Sequence, residues 1–485
     1  MTDSTGTRGP AGLRCPAGPR GPRCPRTAVA FGLFAAAFIL AGCGVGVDDD
    51  DAGSASAKIS NPQRPGTENE ETDPREADGT PAETAEPSTE EFTIAGTGDV
   101  LLHGPVLDQA AVLADDAEYS FAPLMRGVEG LIGGADLALC GLESPIAPEG
   151  VEPAGYPVFA APPEIAADLG EVGFHGCSTA NNHSFDQGRA GQERTLDVFD
   201  DAGLGHAGTA RTEAEADQPQ LYTLERGGRE VTVAHLATTM LHNQSAPPPE
   251  DERWRVADVS AEELTDQAAQ ARADGADVVV ASVHWGEEYA HHPAQEQRAY
   301  GEQLAAGGEV DVVFGSHSHT PQPVERLEGG PTDEGMWVVW SMGNFLSNQD
   351  EACCIPETAS GTVVYATVEV SEEAARVSAL DWLPVTVDRG PTDEEPHRGI
   401  WPLLDLTQGK TPSGVELSPA RVEDRWSRML DVMTEQQLRE DPPAPRGTNP
   451  RWCHEVTRGS AETGPRVSAE PRRRERGRLR GCAAP

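Results

Sequence analysis

From about residue 92 onward, short apolar runs alternate with amphipathic stretches. Residues 92–95, 137–140, 231–236, 278–283, 310–314, 337–340 and 363–370 are apolar, rich in Val and aromatics, and bounded by Gly or polar residues. Runs of this length, bounded by such turns, predict strands. Between them, residues 122–132, 163–172, 191–202, 261–274 and 294–306 carry the spacing of helices. Strands separated by helices predict βαβ crossovers and a largely parallel sheet. Gly227-Gly228 joins the runs 221–224 and 231–236 and predicts a hairpin, so part of the sheet is expected to be antiparallel. Residues 91–404 therefore read as one α/β domain, large for a single core. Beyond it, 405–450 predicts a helical extension, with Leu430, Val432 and Met433 on the apolar side of a helix over 418–438 and a Pro-rich stretch after it. Residues 451–485 form an Arg-dense tail without apolar periodicity, expected to lack fixed structure.

The N-terminal region follows a different pattern. Arg8, Arg14, Arg20, Arg23 and Arg26 precede an apolar stretch over 28–40 that is short for a bilayer span and runs into Leu40-Ala41-Gly42-Cys43. This resembles a bacterial lipoprotein signal over 1–42, with Cys43 as the lipidated residue; an uncleaved N-terminal anchor is the alternative. Either reading puts the folded domain outside the cytoplasm, held to the membrane by a lipid or an apolar anchor. Residues 43–90 are rich in Asp, Glu, Pro, Ser, Thr and Gly and nearly devoid of large apolar side chains. Such a segment cannot bury enough surface to offset its ordering entropy, and reads as a flexible acidic tether.

Charge narrows the partners. The formal net charge is −43, and Lys58 and Lys410 are the only lysines. A polyanion is repelled by such a surface except where metal ions or arginines reverse the local sign, so no nucleic acid partner is expected. Leaving aside Cys15, Cys24 and Cys43, six cysteines remain, and their spacing matches no zinc ribbon. Cys140 and Cys177 lie in short apolar segments, as buried free thiols would; Cys353 and Cys354 are adjacent and are expected to pair elsewhere.

The candidate chemistry sits at the predicted strand ends. In α/β sheets ligands collect where loops leave the carboxyl ends of strands. Those ends carry Gly98-Asp99 with His103 beyond it, then Glu143, then Asn182-His183 with Asp186 behind them, then His284, then Gly315-Ser316-His317-Ser318-His319. A bridging carboxylate with His, Asp and an Asn carbonyl can hold two divalent cations about 3.5 to 4 Å apart, close enough to engage two oxygens of a phosphate and to activate water. Mixed nitrogen and oxygen donors suit manganese, iron or zinc better than calcium. Glu287 and Glu288 are candidates to orient His284 from behind. Trp285, Tyr289 and Phe345 could line a groove, although packing in the core explains aromatics equally well.

The ordered set Gly98-Asp99, Glu143, Ala180-Asn181-Asn182-His183, His284-Trp285-Gly286, Gly315-Ser316-His317-Ser318-His319 and Ser341-Met342-Gly343-Asn344-Phe345 resembles the CapA family of poly-γ-glutamate capsule proteins, within the calcineurin-like metallophosphoesterase superfamily. The resemblance implies a four-layer α/β sandwich with mixed sheets flanked by helices. It further implies that Asp99 and His319 bind one metal, that Asn182, His284 and His317 bind the other, that Glu143 bridges, and that His183 donates a proton. The chain departs from that pattern twice. Leu101 stands where the superfamily places a His after the first Asp, leaving His103 as the nearest possible metal ligand, and Gly141 stands where the family carries Asn. Three functions stay open: a surface lipoprotein in the synthesis, export or anchoring of poly-γ-glutamate or a similar anionic polymer, working with polymer-synthesis membrane proteins; a metal-dependent phosphoesterase; and a non-catalytic, metal-assisted polymer-binding module. A fold by itself does not choose among them.

Overall fold

The computed structural model describes residues 90–243, 247–390, 398–433, 435–444 and 451–453. The signal reading over 1–42, Cys43, the tether up to residue 89 and the tail beyond 453 lie outside the described residues. In chain order the strands are β1 (Glu90–Val100), β2 (Leu137–Leu142), β3 (Gly176–Ser178), β4 (Gly205–Ala207), β5 (Gln220–Arg226), β6 (Arg229–Thr239), β7 (Val278–His284), β8 (Val312–Ser316), β9 (Pro321–Leu327), β10 (Met336–Met342), β11 (Asn344–Leu346), β12 (Ser360–Val370), β13 (Ala375–Asp388), β14 (Gly399–Pro402) and β15 (Arg451–Cys453).

They form two mixed sheets. The first has the order β14-β13-β12-β1-β2-β3-β4, with β11 also paired to β1; the second runs β15-β5-β6-β7-β8-β10-β9. The pairs β1–β2, β2–β3 and β3–β4 are parallel, as are β6–β7, β7–β8 and β8–β10. The β5–β6 hairpin is antiparallel across Gly227 and Gly228, both at positive φ, as a tight turn requires. The apolar runs that read as strands divide their side chains between two cores. Val278 and Val280 enter the cluster shared by the inner faces of both sheets, while Val279 and Ala281 face the helices Ala261–Ala273 and Gln295–Gly307. On the outer face of the first sheet, the helices Gly104–Leu113, Glu164–Val172 and Gly188–Ala202 cover Ala138, Cys140 and Val363. The layers are therefore helix, sheet, sheet, helix, the four-layer sandwich with mixed sheets expected from the sequence.

Several elements depart from the pattern-based reading. The expected helix over 122–132 is three short pieces, with a 3-10 turn at Arg126–Val128. A Cβ at Gly127 would lie 2.3 Å from the Ile400 carbonyl, so that turn passes close to β14. The boundary drawn at residue 404 falls inside the helix Leu403–Thr407, and the helix Pro419–Met433 seats Val422, Met429 and Met433 in the inter-sheet cluster. What reads as an extension thus belongs to the same core. Arg451–Cys453, assigned to the tail, pairs with β5 as an edge strand.

The cysteines also differ from expectation. Cys140 and Cys177 are register partners on the parallel strands β2 and β3, with Cα atoms 4.3 Å apart, and they form a disulfide instead of remaining free thiols. Cys353 and Cys354 are joined to each other in the turn after β11 and do not pair elsewhere.

Candidate metal centre

Parallel strands from both sheets end at one place. β1 brings Asp99, β2 leads into Glu143, β3 into Asn182 and His183, β7 ends on His284, and β8 leads into His317 and His319. Small residues let the backbones meet there. A Cβ on Gly98 would lie 1.9 Å from the Gly343 carbonyl oxygen, and that carbonyl accepts a hydrogen bond from Asp99 N at 3.0 Å. His317 and His319 adopt φ of 96° and 56°. Left-handed backbone is rare for such side chains and concentrates at functional sites.

The side chains form two groups of three that share Glu143. Asp99, Glu143 and His319 make one; Glu143, His284 and His317 make the other, each with potential ligand atoms within 4.8 Å of one another. His319 Nδ1 lies 3.4 Å from Asp99 Oδ2 and 3.9 Å from Glu143 Oε2. His284 Nε2 lies 3.6 Å from Glu143 Oε1, 3.1 Å from His317 Nδ1 and 2.8 Å from Asn182 Oδ1. The His317 amide donates to Asp99 Oδ2 at 3.3 Å, tying the two sheets together at the site.

Electrostatics favour a cation between the groups. Glu143 is 1% exposed, and neither of its carboxylate oxygens has a hydrogen-bond partner. Burial and the neighbouring Asp99 push its pKa well above the usual carboxylate range. Burial lowers the His319 pKa by itself, but the Glu143 and Asp99 carboxylates more than offset this and raise it to about 9. Burial, reinforced by the His319 and His183 charges, holds His317 down at about 3, and burial with its three histidine neighbours keeps His284 well below its ordinary value. His284 and His317 are thus neutral imidazoles, the form that binds metals. A buried carboxylate whose oxygens lack hydrogen-bond partners, set beside Asp99 and the neutral His284 and His317, is a costly arrangement without a cation and a suitable one with it. The donor set fits a divalent metal, and Asp99, Glu143, His319, His284, His317 and Asn182 are the residues that would hold it.

His183 stands beside this cluster. Its Nδ1 is 2.7 Å from Asp186 Oδ2, and the same oxygen accepts the Phe159 amide at 2.8 Å. Asn243 Nδ2 lies 3.0 Å from His183 Nδ1, while Asn182 Nδ2 donates to Asn243 Oδ1 at 3.2 Å. The Phe159 ring meets His183 edge-on at 4.7 Å. The Asp186 carboxylate at Nδ1 and the Phe159 ring together fix the orientation of the His183 imidazole.

Three expectations change. His103 belongs to neither group: its Nδ1 lies 3.2 Å from the Leu101 carbonyl and accepts the Asn348 amide at 3.3 Å, and its ring packs on Phe159. Glu287 and Glu288 are exposed on the turn after β7. The His284 Nδ1 partner is instead Ser316 Oγ at 2.9 Å, because register pairs His284 with Ser316 across β7 and β8. Trp285 and Phe345 are fully buried core residues, whereas Tyr289 borders the site, its ring 6.4 Å from that of His319. Phe159 and Asn243 escaped the sequence reading because neither lies in a recognised motif, although Asn243 follows the end of β6 as closely as Asn182 follows β3.

A protein of Mycobacterium tuberculosis described as a probable polyglutamine synthesis accessory protein is 28% identical over 202 residues, 40% of this chain and 53% of its own. The PGA biosynthesis protein CapA of Bacillus subtilis is 28% identical over 181 residues, 37% of this chain and 44% of its own. The chain thus spans about half the length of the curated relatives it matches. Among solved structures, a calcineurin-like phosphoesterase from Bacillus subtilis aligns with 71% of this chain and 98% of its own at 15% identity and a TM-score of 0.39, too distant to bear on activity. From residue 93 to residue 349, more than half its length, the chain matches the bacterial capsule synthesis protein family PGA_cap, and it belongs to that family.

Proposed function

We propose that this protein is an extracytoplasmic, lipid-anchored accessory factor in the synthesis, export or anchoring of poly-γ-glutamate or a similar anionic surface polymer, acting through a two-cation pocket. The observation that carries the reading is the pair of ligand groups sharing the unpartnered Glu143, within the segment that matches the capsule synthesis family. The names of the Mycobacterium tuberculosis and Bacillus subtilis relatives support the polymer. The Arg-rich leader before Cys43 supports the anchor, and the disulfide between Cys140 and Cys177 supports an oxidising compartment. Two divalent cations, manganese, iron or zinc, held there would supply Lewis acidity toward carboxylate or phosphate oxygens in an otherwise acidic chain. Glu143 would be shared by both, Asp99 and His319 would serve one, and Asn182, His284 and His317 the other.

A second reading, hydrolysis of an extracytoplasmic phosphate ester, is favoured by one observation: His183 is oriented by Asp186 beside the cluster. In that reading the residue gives its proton to the leaving oxygen while Asp186 holds the ring. Two measurements test these readings. Deletion of the gene should lower surface polyglutamate, and unchanged polymer overturns the first. Purified protein loaded with manganese should cleave a generic phosphodiester or monoester in a manner abolished by His183→Ala, and absence of turnover overturns the second, leaving a site that grips polymer without reacting.

A further inference from the structure

The two ligand groups are unequal in protein oxygen. Beside Glu143, His284 and His317 lies the Asn182 carbonyl oxygen, 2.8 Å from His284 Nε2. Beside Asp99, Glu143 and His319 the sequence motifs offer no counterpart, since Leu101 and Gly141 replace the expected side chains. The structure places one there. Asn344 Oδ1 is 3.1 Å from His319 Nδ1, the same atom that faces Asp99 and Glu143.

The direction of that amide is set by its other end. Asn344 Nδ2 donates to Gln349 Oε1 at 3.0 Å and to the Thr358 carbonyl at 2.9 Å. A flipped amide would lose both bonds and set its oxygen against two acceptors, so the oxygen must face the cluster. The side chain is 1% exposed, and no solvent competes for it. The backbone is held as firmly, because β11 pairs Asn344 with Asp99 on one side of β1 while β2 pairs Gly141 with Asp99 on the other. Two donors at right angles on one first-row ion stand roughly 3 Å apart, from metal–ligand bonds of about 2.1 Å. The separation of Asn344 Oδ1 from His319 Nδ1 matches this, as does that of Asn182 Oδ1 from His284 Nε2.

We propose that Asn344 is a further metal ligand, its Oδ1 completing the position formed by Asp99, Glu143 and His319, with Gln349 as the positioning residue that fixes the amide. The proposal rests on reading the cluster as a metal centre. An amide oxygen adds no charge, so it completes the position without deepening the carboxylate repulsion already present between Asp99 and Glu143.

The test is manganese binding by the chelator-stripped, refilled protein, read by calorimetry and by counting bound ions with electron paramagnetic resonance. Wild-type protein should take two ions. Asn344→Ala should bind one of them ten- to a hundredfold more weakly, and Gln349→Leu several-fold more weakly at the same position. Circular dichroism establishes that each variant is folded. A crystal structure with manganese should put Asn344 Oδ1 about 2.1 Å from an ion. A folded Asn344→Ala that binds both ions with wild-type affinity, or an Asn344 oxygen more than about 3 Å from any ion, overturns the ligand assignment alone. Should Asn344→Ala not fold, the Gln349→Leu affinity and the ion distance decide in its place. Wild-type protein that binds no manganese overturns the metal centre itself.

Discussion

Glu143→Leu separates the cost of the site from its use. In the metal-free protein the Glu143 carboxylate is buried beside Asp99, and neither oxygen has a donor. An unsatisfied buried polar group costs about 1 to 3 kcal/mol. Leucine is of similar size and removes that cost, so the metal-free variant should be more stable than the wild type by about 1 to 3 kcal/mol. In a domain of this size each kcal/mol moves Tm by roughly 1 to 2 °C, so the rise should be about 1 to 6 °C. Divalent cations reverse the order. A ligand at a hundred times its Kd stabilises the folded state by about 2.7 kcal/mol per site, and the wild type should gain this while the variant, lacking the residue shared by both groups, should not. Thermal unfolding of both proteins with chelator and with manganese reads all four values. A metal-free variant less stable than the wild type would refute the strain argument, and an equal manganese-induced gain in both would refute the shared role of Glu143.

Gly98→Ala forces a Cβ against the Gly343 carbonyl, parting the strands that carry Asp99 and Asn344. It should cost about 2 kcal/mol or more in urea unfolding and weaken manganese binding, whereas Gly104→Ala, with open space around it, should change neither. Acid should destabilise the fold through histidines buried in neutral form. Burial lowers His235 to about 3 and His175 to about 4, and the Ala138 amide donates to His175 Nδ1. The unfolded chain takes up these protons near pH 6.5 while the folded one does not, so stability is complete above that pH and falls below it by up to about 1.4 kcal/mol per pH unit for each histidine. Urea midpoints of chelated protein between pH 7.5 and pH 5 test this, and a flat profile would contradict it. The disulfide between Cys140 and Cys177 closes a sequence separation of 37. By loop entropy its loss in the double Ala variant should cost about 4 kcal/mol, and free thiols at both positions in oxidised protein, found by peptide mapping, would refute the pairing.

Sequence by itself determined the longer apolar strands, the hairpin at Gly227-Gly228 and the candidate ligands, because each is a local signal. An apolar run such as 278–283, short, rich in Val and bounded by polar or Gly residues, reads as a strand, and groups such as His317-Ser318-His319 stand where such runs end. Shorter strands were less legible: β3, three residues long, showed only through the Asn182-His183 group that follows it, and β4, equally short, stayed hidden because its pairing comes from neighbours distant in the chain. The C-terminal helix read as an appendage for the same reason, since nothing local reveals that Val422 and Met429 complete the core between the sheets.

The grouping of the candidate ligands, which the family resemblance implied, has its physical basis only in the tertiary structure. Which histidine faces which carboxylate depends on two sheets converging where Gly98 meets Gly343 and where the His317 amide reaches Asp99, 218 residues away. The same convergence left His103 against Phe159, gave His284 to Ser316 instead of Glu287 or Glu288, and turned the Asn344 carbonyl oxygen toward His319. Residue types at strand ends are written in the chain, but distances between strand ends exist only after the layers have packed.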